Sequence, residues 1–296
     1  MTITKAVIAV AGFGTRFLPA TKAVPKELLP IVDKPIIQYL VEEIVESGIQ
    51  DIILVTRAGN QAIADHFDSS RELEVHLEES GKAGLLQRVQ SIAQMANIAV
   101  VRQGRHLPHG NGTPLLAARR YLDEGEPFVY LFGDDLVLSK TPCIKQLIDV
   151  HQQHKPDGVI AFQEVPNSEI NRYPAATFKP GTDPPEIESL VEKPDPDKAA
   201  SNLARLGRFL LPWRSIEILE EMSHEIQGKR QELYLTYANN QLCQEGRVLA
   251  HTIEGQWMTT GDPLRYLKTS VEFGLQHETI GREFASYLRS LELQKD

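Results

Sequence analysis

Cysteine is nearly absent from the 296-residue chain: Cys143 and Cys243 form a lone, widely spaced pair. That excludes a disulfide framework or a CxxC metal site and leaves two small residues suited to burial. Long hydrophobic runs are missing as well. Ala6–Ala11 and Ile52–Val55 are strand-sized, so no membrane partner is implied. The N-terminus lacks the apolar core of a secretion signal, which points to a cytoplasmic address. There is no basic excess: 40 acidic residues face 31 Lys and Arg, for a net charge of −9. A nucleic-acid binder shows the opposite balance, so that class is set aside. A phosphate-handling site needs only a few local cations and survives the test. Repeats and low-complexity segments are lacking too, the loosest stretch being Lys179–Pro185. No histidine spacing suggests zinc, and His106 and His109 read as solvated loop residues. No Ser or Cys sits in a triad pattern.

What is present is an ordinary globular balance, 42% hydrophobic and 24% charged, over a length that buries a substantial core. Lys5–Ala11 is an apolar run stopped by Gly12 and reads as a buried parallel strand. From Pro35, the residues Ile36, Ile37, Leu40, Val41, Ile44 and Val45 share one helical face until Gly48 ends it. Asp51–Thr56 reads as a strand, and Gln61–Asp68 and Arg71–Gln94 as helical. A strand at Ile98–Arg102, a glycine-containing loop, a helix at Pro114–Tyr121 and a strand at Phe128–Phe132 follow. Further on come strands at Gly158–Glu164, Glu186–Glu192 and Arg247–Ile253. Helices are expected at Trp213–Met222, Pro263–Leu275 and Ile280–Leu291. Strand and helix alternate through the first 155 residues or so, which predicts an α/β fold with a sheet covered on both faces. The unusual loops follow Ala11, Arg102 and Phe132, all at carboxyl ends of predicted strands, where open sheets bind ligands.

The first chemical motif is Gly12-Phe13-Gly14-Thr15-Arg16, followed by Pro25-Lys26-Glu27. Glycine after a strand lets the backbone approach a phosphate, and Arg16 and Lys26 add full positive charges. The pattern is not a dinucleotide fingerprint, because Phe17 stands at the third glycine, which disfavours an oxidoreductase. Nor is it a P-loop, which requires GxxxxGK[ST]. The second motif is Gly133-Asp134-Asp135, an acidic pair at a strand's end, where hard carboxylate oxygens suit a divalent cation.

The long block from Ala11-Gly12-x-Gly14-Thr15-Arg16 through Pro25-Lys26-Glu27-Leu28-Leu29-Pro30 to Lys34-Pro35 resembles the signature of bacterial UTP–glucose-1-phosphate uridylyltransferases. The likeness continues through Val101-Arg102-Gln103, Gly133-Asp134-Asp135, Leu190-Val191-Glu192-Lys193-Pro194 and Ser201-Asn202-Leu203-Ala204 to Val271-Glu272-Phe273. It implies a single nucleotidyltransferase domain over 1–296 with a Rossmann-like mixed, mainly parallel sheet flanked by helices. Within it, about 1–155 would hold the nucleotide, about 156–260 the sugar phosphate, and about 261–296 would form C-terminal helices. For individual residues it implies nucleotide contacts at Ala11, Gly12, Gly14, Thr15, Glu27, Gln103 and Gly112, with Gln103 on the uracil edge. Arg16 and Lys26 would take the phosphates, Asp134 Mg²⁺, Glu192 and Tyr173 the sugar, and Lys193 the sugar phosphate. Arg16, Lys26 and Lys193 would be the catalytic cations. UTP and a sugar 1-phosphate are the implied partners, and a homo-oligomer the implied assembly.

The chain departs from the resembled pattern on the sugar and metal sides. The family's Tyr-Gly is Tyr173-Pro174, its Gln-Leu-Thr-Asp is Tyr234-Leu235-Thr236-Tyr237, and its late Tyr-Asp-Val-Gly-Asp is Met258-Thr259-Thr260-Gly261-Asp262. The glycine loop reads Gly110-Asn111-Gly112-Thr113-Pro114. Alternatives carried forward are therefore another sugar 1-phosphate or TTP, and a catalytically weak nucleotide-binding paralogue that modulates a partner.

Overall fold

A computed structural model describes residues 2–229 and 231–292. The first half contains β1 (Lys5–Val10), a two-residue pair β2 (Pro30–Ile31) and β3 (Lys34–Pro35), α1 (Ile36–Glu46) and β4 (Asp51–Thr56). Then come α2 (Gln61–His66), α3 (Arg71–Glu79), α4 (Ala83–Ala93), β5 (Asn97–Arg102), α5 (Thr113–Ala118), β6 (Phe128–Phe132), β7 (Asp135–Leu138) and α6 (Cys143–His154). The second half holds β8 (Gly158–Glu164), β9 (Ala175–Phe178), β10 (Ile187–Val191), β11 (Leu203–Leu211), α7 (Arg214–Glu225) and α8 (Leu235–Glu245). It closes with β12 (Val248–Thr252), β13 (Gln256–Thr259), α9 (Pro263–Gln276) and α10 (Gly281–Ser290).

The main sheet runs β10-β9-β11-β6-β1-β4-β5, with β8 added beside β11 and β12 beside β8. β5, β4, β1 and β6 are parallel, and β11 pairs antiparallel with β6, β8 and β9. The sheet is thus mixed, with helices on both faces. Its two faces feed two cores by strict alternation along each strand. Ile8, Val10, Ile52, Leu54, Val129 and Leu131 enter one core, while Val7, Ile53, Val55, Phe128 and Tyr130 enter the other. Burial on both sides explains why these strands read as continuous apolar runs.

The strands expected at Asp51–Thr56, Phe128–Phe132 and Gly158–Glu164 have those bounds. The helical stretch Arg71–Gln94 divides into α3 and α4 at Gly81, whose φ of +67° no helix accommodates. Cys143 and Cys243 are both buried thiols. Among the described residues no helix is long and apolar enough to cross a membrane.

One polar network threads the core. Arg208 of β11 is fully buried, yet its guanidinium is satisfied: Nε and Nη2 donate to Glu43 of α1 at 3.0 and 2.8 Å, and Nη2 also donates to the Asp135 carbonyl at 2.6 Å. Glu43 accepts a further hydrogen bond from Ile144 N at the start of α6. Removing one partner of a buried ion pair leaves the other charge stranded, which costs about 3–5 kcal/mol. Glu43→Ala should therefore lower the free energy of unfolding by about that amount in denaturant titration. A loss under about 1 kcal/mol, the range of exposed pairs, would show that the network is dispensable.

Candidate active site

The site is assembled from loops at the carboxyl ends of β1, β4, β5 and β6. After β1 the chain makes the glycine turn, in which Gly14 has φ +62° and a Cβ would lie 3.1 Å from Thr21 Cγ2 and 3.2 Å from Lys26 Cβ. The Thr21 hydroxyl donates to the Gly14 carbonyl at 2.7 Å and pins this turn. After β6, a Cβ on Gly133 would sit 2.6 Å from the Ala9 carbonyl. Only glycine lets the two strand ends approach so closely, and the next residue, Asp134, is brought beside Lys26.

A cavity of about 880 Å³ opens between these loops. Of the residues expected from sequence, Ala11, Gly12, Lys26, Glu27, Gln103 and Asp134 line it. Gly14, Thr15 and Arg16 stand outside its lining. Arg16 Nη1 instead donates to the Gly261 carbonyl at 3.1 Å. Gly112 is also absent from the wall: its N–H donates to the Leu233 carbonyl at 2.9 Å, and a Cβ there would strike Leu219. On the sugar side, Glu192 follows β10 and accepts from the Thr236 hydroxyl at 2.6 Å. Lys193 has a left-handed backbone with φ +46°, a strained geometry for lysine of the kind concentrated at functional sites. Tyr173 packs edge-on against Trp257, ring centroids 4.7 Å apart. None of these three lines the cavity.

Sequence reasoning missed several wall residues. Phe13, inside the quoted turn, is 67% exposed, and the Arg57 guanidinium lies 5.1 Å from its ring centroid. Arg57 follows β4 and reaches the wall only because β4 pairs with β5, whose end delivers Gln103; no local signal in the sequence singles it out. Asn111 lines the wall while its side-chain oxygen accepts from Leu235 N at the start of α8. The exposed His109 is on the same wall.

Charges in the cavity are tightly paired. Lys26 Nζ lies 2.7 Å from Asp134 Oδ2 and 4.0 Å from Glu27 Oε1. Burial pulls the Lys26 pKa down, but Asp134 and Glu27 outweigh it and the net shift is upward. Burial likewise works against ionised Asp134, and Lys26 reverses it, leaving that carboxyl below its usual range. Asp135 goes the other way, pushed up to about 6 by burial and by its neighbour Asp134. Its carboxylate accepts from the Gly207 N–H at 3.0 Å and turns away from the cavity. Glu27 is 0% exposed, and neither side-chain oxygen has a hydrogen-bond partner among the described residues. Burial pushes it up to about 7. Thr259, at the position of the resembled family's carboxylate, is brought to Asp134: its hydroxyl lies 3.4 Å from the Asp134 carbonyl.

The sequence profile described as Nucleotidyl transferase matches residues 5–274. A UTP–glucose-1-phosphate uridylyltransferase of Staphylococcus epidermidis is 43% identical over 295 residues, 98% of this chain and 99% of the relative. Among solved structures, a UTP-bound UGPase from Acinetobacter baumannii superposes with a TM-score of 0.89 at 34% identity, covering 98% of this chain and 100% of that one. A UDP-glucose pyrophosphorylase complexed with UDP-glucose gives 0.81 at 32% identity, with coverage of 93% and 100%.

The Glu27 carboxyl generates a pH prediction. Its folded pKa of about 7 exceeds the ordinary 4.5, so the folded state holds the proton more firmly than the unfolded chain. Stability from this group is complete below pH 4.5 and is lost as pH rises through 7. Glu27→Gln removes the buried charge, so the variant should gain on wild type between pH 4.5 and 7, levelling off at about 3 kcal/mol above that. Paired denaturant titrations across this range test it, and a pH-independent difference would overturn it.

Proposed function

The chain belongs to the nucleotidyl transferase family, and from that premise we propose that it transfers the uridylyl group of UTP to glucose 1-phosphate, giving UDP-glucose and pyrophosphate. The observation that carries this reading is the meeting, around one cavity, of the glycine turn, Gln103 and the Lys26–Asp134 pair. It occurs in a chain that matches a uridylyltransferase almost end to end.

In this reading the Gln103 amide donates and accepts along the uracil edge. Backbone groups of Ala11, Gly12, Gly14 and Thr15 approach the nucleotide, Glu27 faces it from below, and Gly112 shapes the loop behind it. Arg16 and Lys26 offset phosphate charge. Glu192 and Tyr173 take the sugar, and Lys193 aligns its phosphate. A phosphate oxygen of glucose 1-phosphate attacks the α-phosphorus of UTP in line. The new O–P bond forms as the bond to the β-phosphate oxygen breaks and pyrophosphate leaves. The attacking oxygen is already anionic, so the chain needs no nucleophile or general base. Alignment and charge neutralisation suffice.

The Asp134 carboxylate and the Thr259 hydroxyl are hard oxygen donors of the kind a divalent cation such as Mg²⁺ takes. Both lie 3.4 Å from the point that a Cβ on Gly261 would occupy, with Arg16 Nη1 at 3.7 Å from it and Lys26 Nζ paired to the same Asp134 oxygen at 2.7 Å. No cluster of three or more His, Cys, Asp or Glu able to hold a metal occurs among the described residues. Asp134 would therefore hold the ion with Thr259 beside it, the remaining positions falling to substrate oxygens and water. Bound there, Mg²⁺ supplies positive charge against the triphosphate. The further expectation of a homo-oligomer rests on the resemblance alone, that of a cytoplasmic place on the sequence.

Pyrophosphate release, measured over a panel of nucleotides and sugar 1-phosphates with and without chelator, tests the reading. Turnover should be highest with UTP and glucose 1-phosphate and should vanish on chelation. UTP binding without turnover on any sugar phosphate would replace it with a non-catalytic role. Within the same assay Lys193→Ala should raise the sugar-phosphate KM and lower kcat, cutting kcat/KM about 100-fold. Wild-type kinetics in that variant would remove Lys193 from the site. Gln103→Ala should weaken UTP and relax base choice, and unchanged base selectivity would remove Gln103 likewise.

A further inference from the structure

Arg205 is the second buried arginine of β11, only 4% exposed, and unlike Arg208 it meets no carboxylate directly among the described residues. Its Nη1 donates to the Thr236 hydroxyl at 3.0 Å, and its Nε has no hydrogen-bond partner among the described residues. The guanidinium lies over two aromatic faces, 5.1 Å from the Phe209 centroid and 6.0 Å from that of Phe132, a residue of the cavity wall. Burial draws its pKa down to about 10, against the pull of Glu192 and Asp135. A cation is costly in such a place, and the fold retains it beside the sugar-side segments.

The connections run outward from Thr236. A guanidinium has five donors and no acceptor, so the Thr236 oxygen can only accept from Arg205. Its own proton is then directed to its other partner, Glu192 Oε2 at 2.6 Å. The direction of this two-bond chain is fixed by the chemistry of arginine. One helical turn further along α8, Asn240 exchanges two hydrogen bonds with Leu190, at 2.6 and 2.9 Å. One face of α8 thus grips β10 at Leu190 and its exit at Glu192, immediately before the strained Lys193 backbone. The Arg205 main chain reaches the other sugar-side segment, its N–H donating to the Pro174 carbonyl at 2.9 Å, next to Tyr173.

We propose that Arg205 is a positioning residue for sugar recognition, acting through the Thr236 hydroxyl to orient the Glu192 carboxylate toward the hydroxyls of the sugar 1-phosphate. This rests on the functional reading above. It deepens that reading by assigning sugar affinity partly to two residues on the far side of Glu192 from the substrate. In the resembled family an aspartate follows the threonine, whereas here Tyr237 does, so no neighbouring carboxylate at that position competes for Thr236.

Three variants separate positioning from mere structure. Thr236→Val keeps shape and removes the hydroxyl, Thr236→Ser restores it, and Arg205→Met keeps a long buried side chain without donors. Thr236→Val and Arg205→Met should each raise the KM for glucose 1-phosphate about tenfold, the scale of one lost buried hydrogen bond, with the KM for UTP within about twofold. Thr236→Ser should return the sugar KM to near the wild-type value. A purely structural role would lower thermal stability and move both KM values together, and that outcome overturns the proposal. If Arg205→Met does not fold, the Thr236 pair decides alone. Wild-type turnover with an unchanged sugar KM in Thr236→Val overturns the relay and leaves the functional reading standing. No wild-type turnover with glucose 1-phosphate overturns both.

Discussion

The buried guanidinium of Arg208 is the constraint on which the site depends. It fastens β11 to α1 through Glu43 and holds the Asp135 carbonyl, while the adjacent Gly207 N–H takes the Asp135 carboxylate. One residue of the acidic pair is thereby locked into the core, while Asp134, in the turn between β6 and β7, lines the cavity. Gly207 has to be glycine for this to work, since a Cβ there would stand 2.6 Å from both Asp135 Oδ2 and Phe132 Cβ. Two adjacent aspartates in the sequence are thus given different tasks by what lies behind them, one structural and one chemical.

The same division explains how an acidic protein can handle anions. The net charge of −9 is a sum over the whole chain, and solvent screens the exposed charges that make up most of it. Inside the cavity Lys26, Asp134 and Glu27 are within a few ångströms of one another, and low polarisability makes each neighbour count. Lys26 and Asp134 stabilise each other's charged forms, while Glu27 lies at the edge of their reach and is pushed by burial up to about 7.

Much of the fold was legible because the parallel strands are buried on both faces and appear as unbroken apolar runs bounded by Gly or Asp. β11 escaped notice although it is the longest strand, because Arg205, Gly207 and Arg208 interrupt its hydrophobic pattern. Their burial depends on Thr236, Asp135 and Glu43, which are distant in sequence and invisible to any local window. α8 was missed for a related reason: Asn239 and Asn240 are poor helix formers, and Asn240 is kept for its bonds to Leu190. In the site, residues belonging to one continuous motif, such as Gly12, Lys26 and Glu27, could be named from sequence. Arg57 could not, since only the pairing of β4 with β5 carries it to Gln103. Gly112, read from sequence as a nucleotide contact, lies outside the wall, because the loop turns it toward Leu233 and gives the wall to Gly110 and Asn111.

The sorting of alternate strand residues into two separate cores has an evolutionary corollary. Inserting one residue into β1 would exchange the destinations of Val7, Ile8 and the other β1 residues beyond the insertion, sending each to the opposite core. The strand segments are therefore frozen in length, and so is the Asn111–Gly112 end of the connection between β5 and α5, which Tyr130 and Leu233 hold to the core; only the exposed tip at Arg105 and His106 is free to change length. Divergence in what the site accepts is channelled into that loop and its counterparts at the same sheet edge, while the framework that presents them keeps its count of residues.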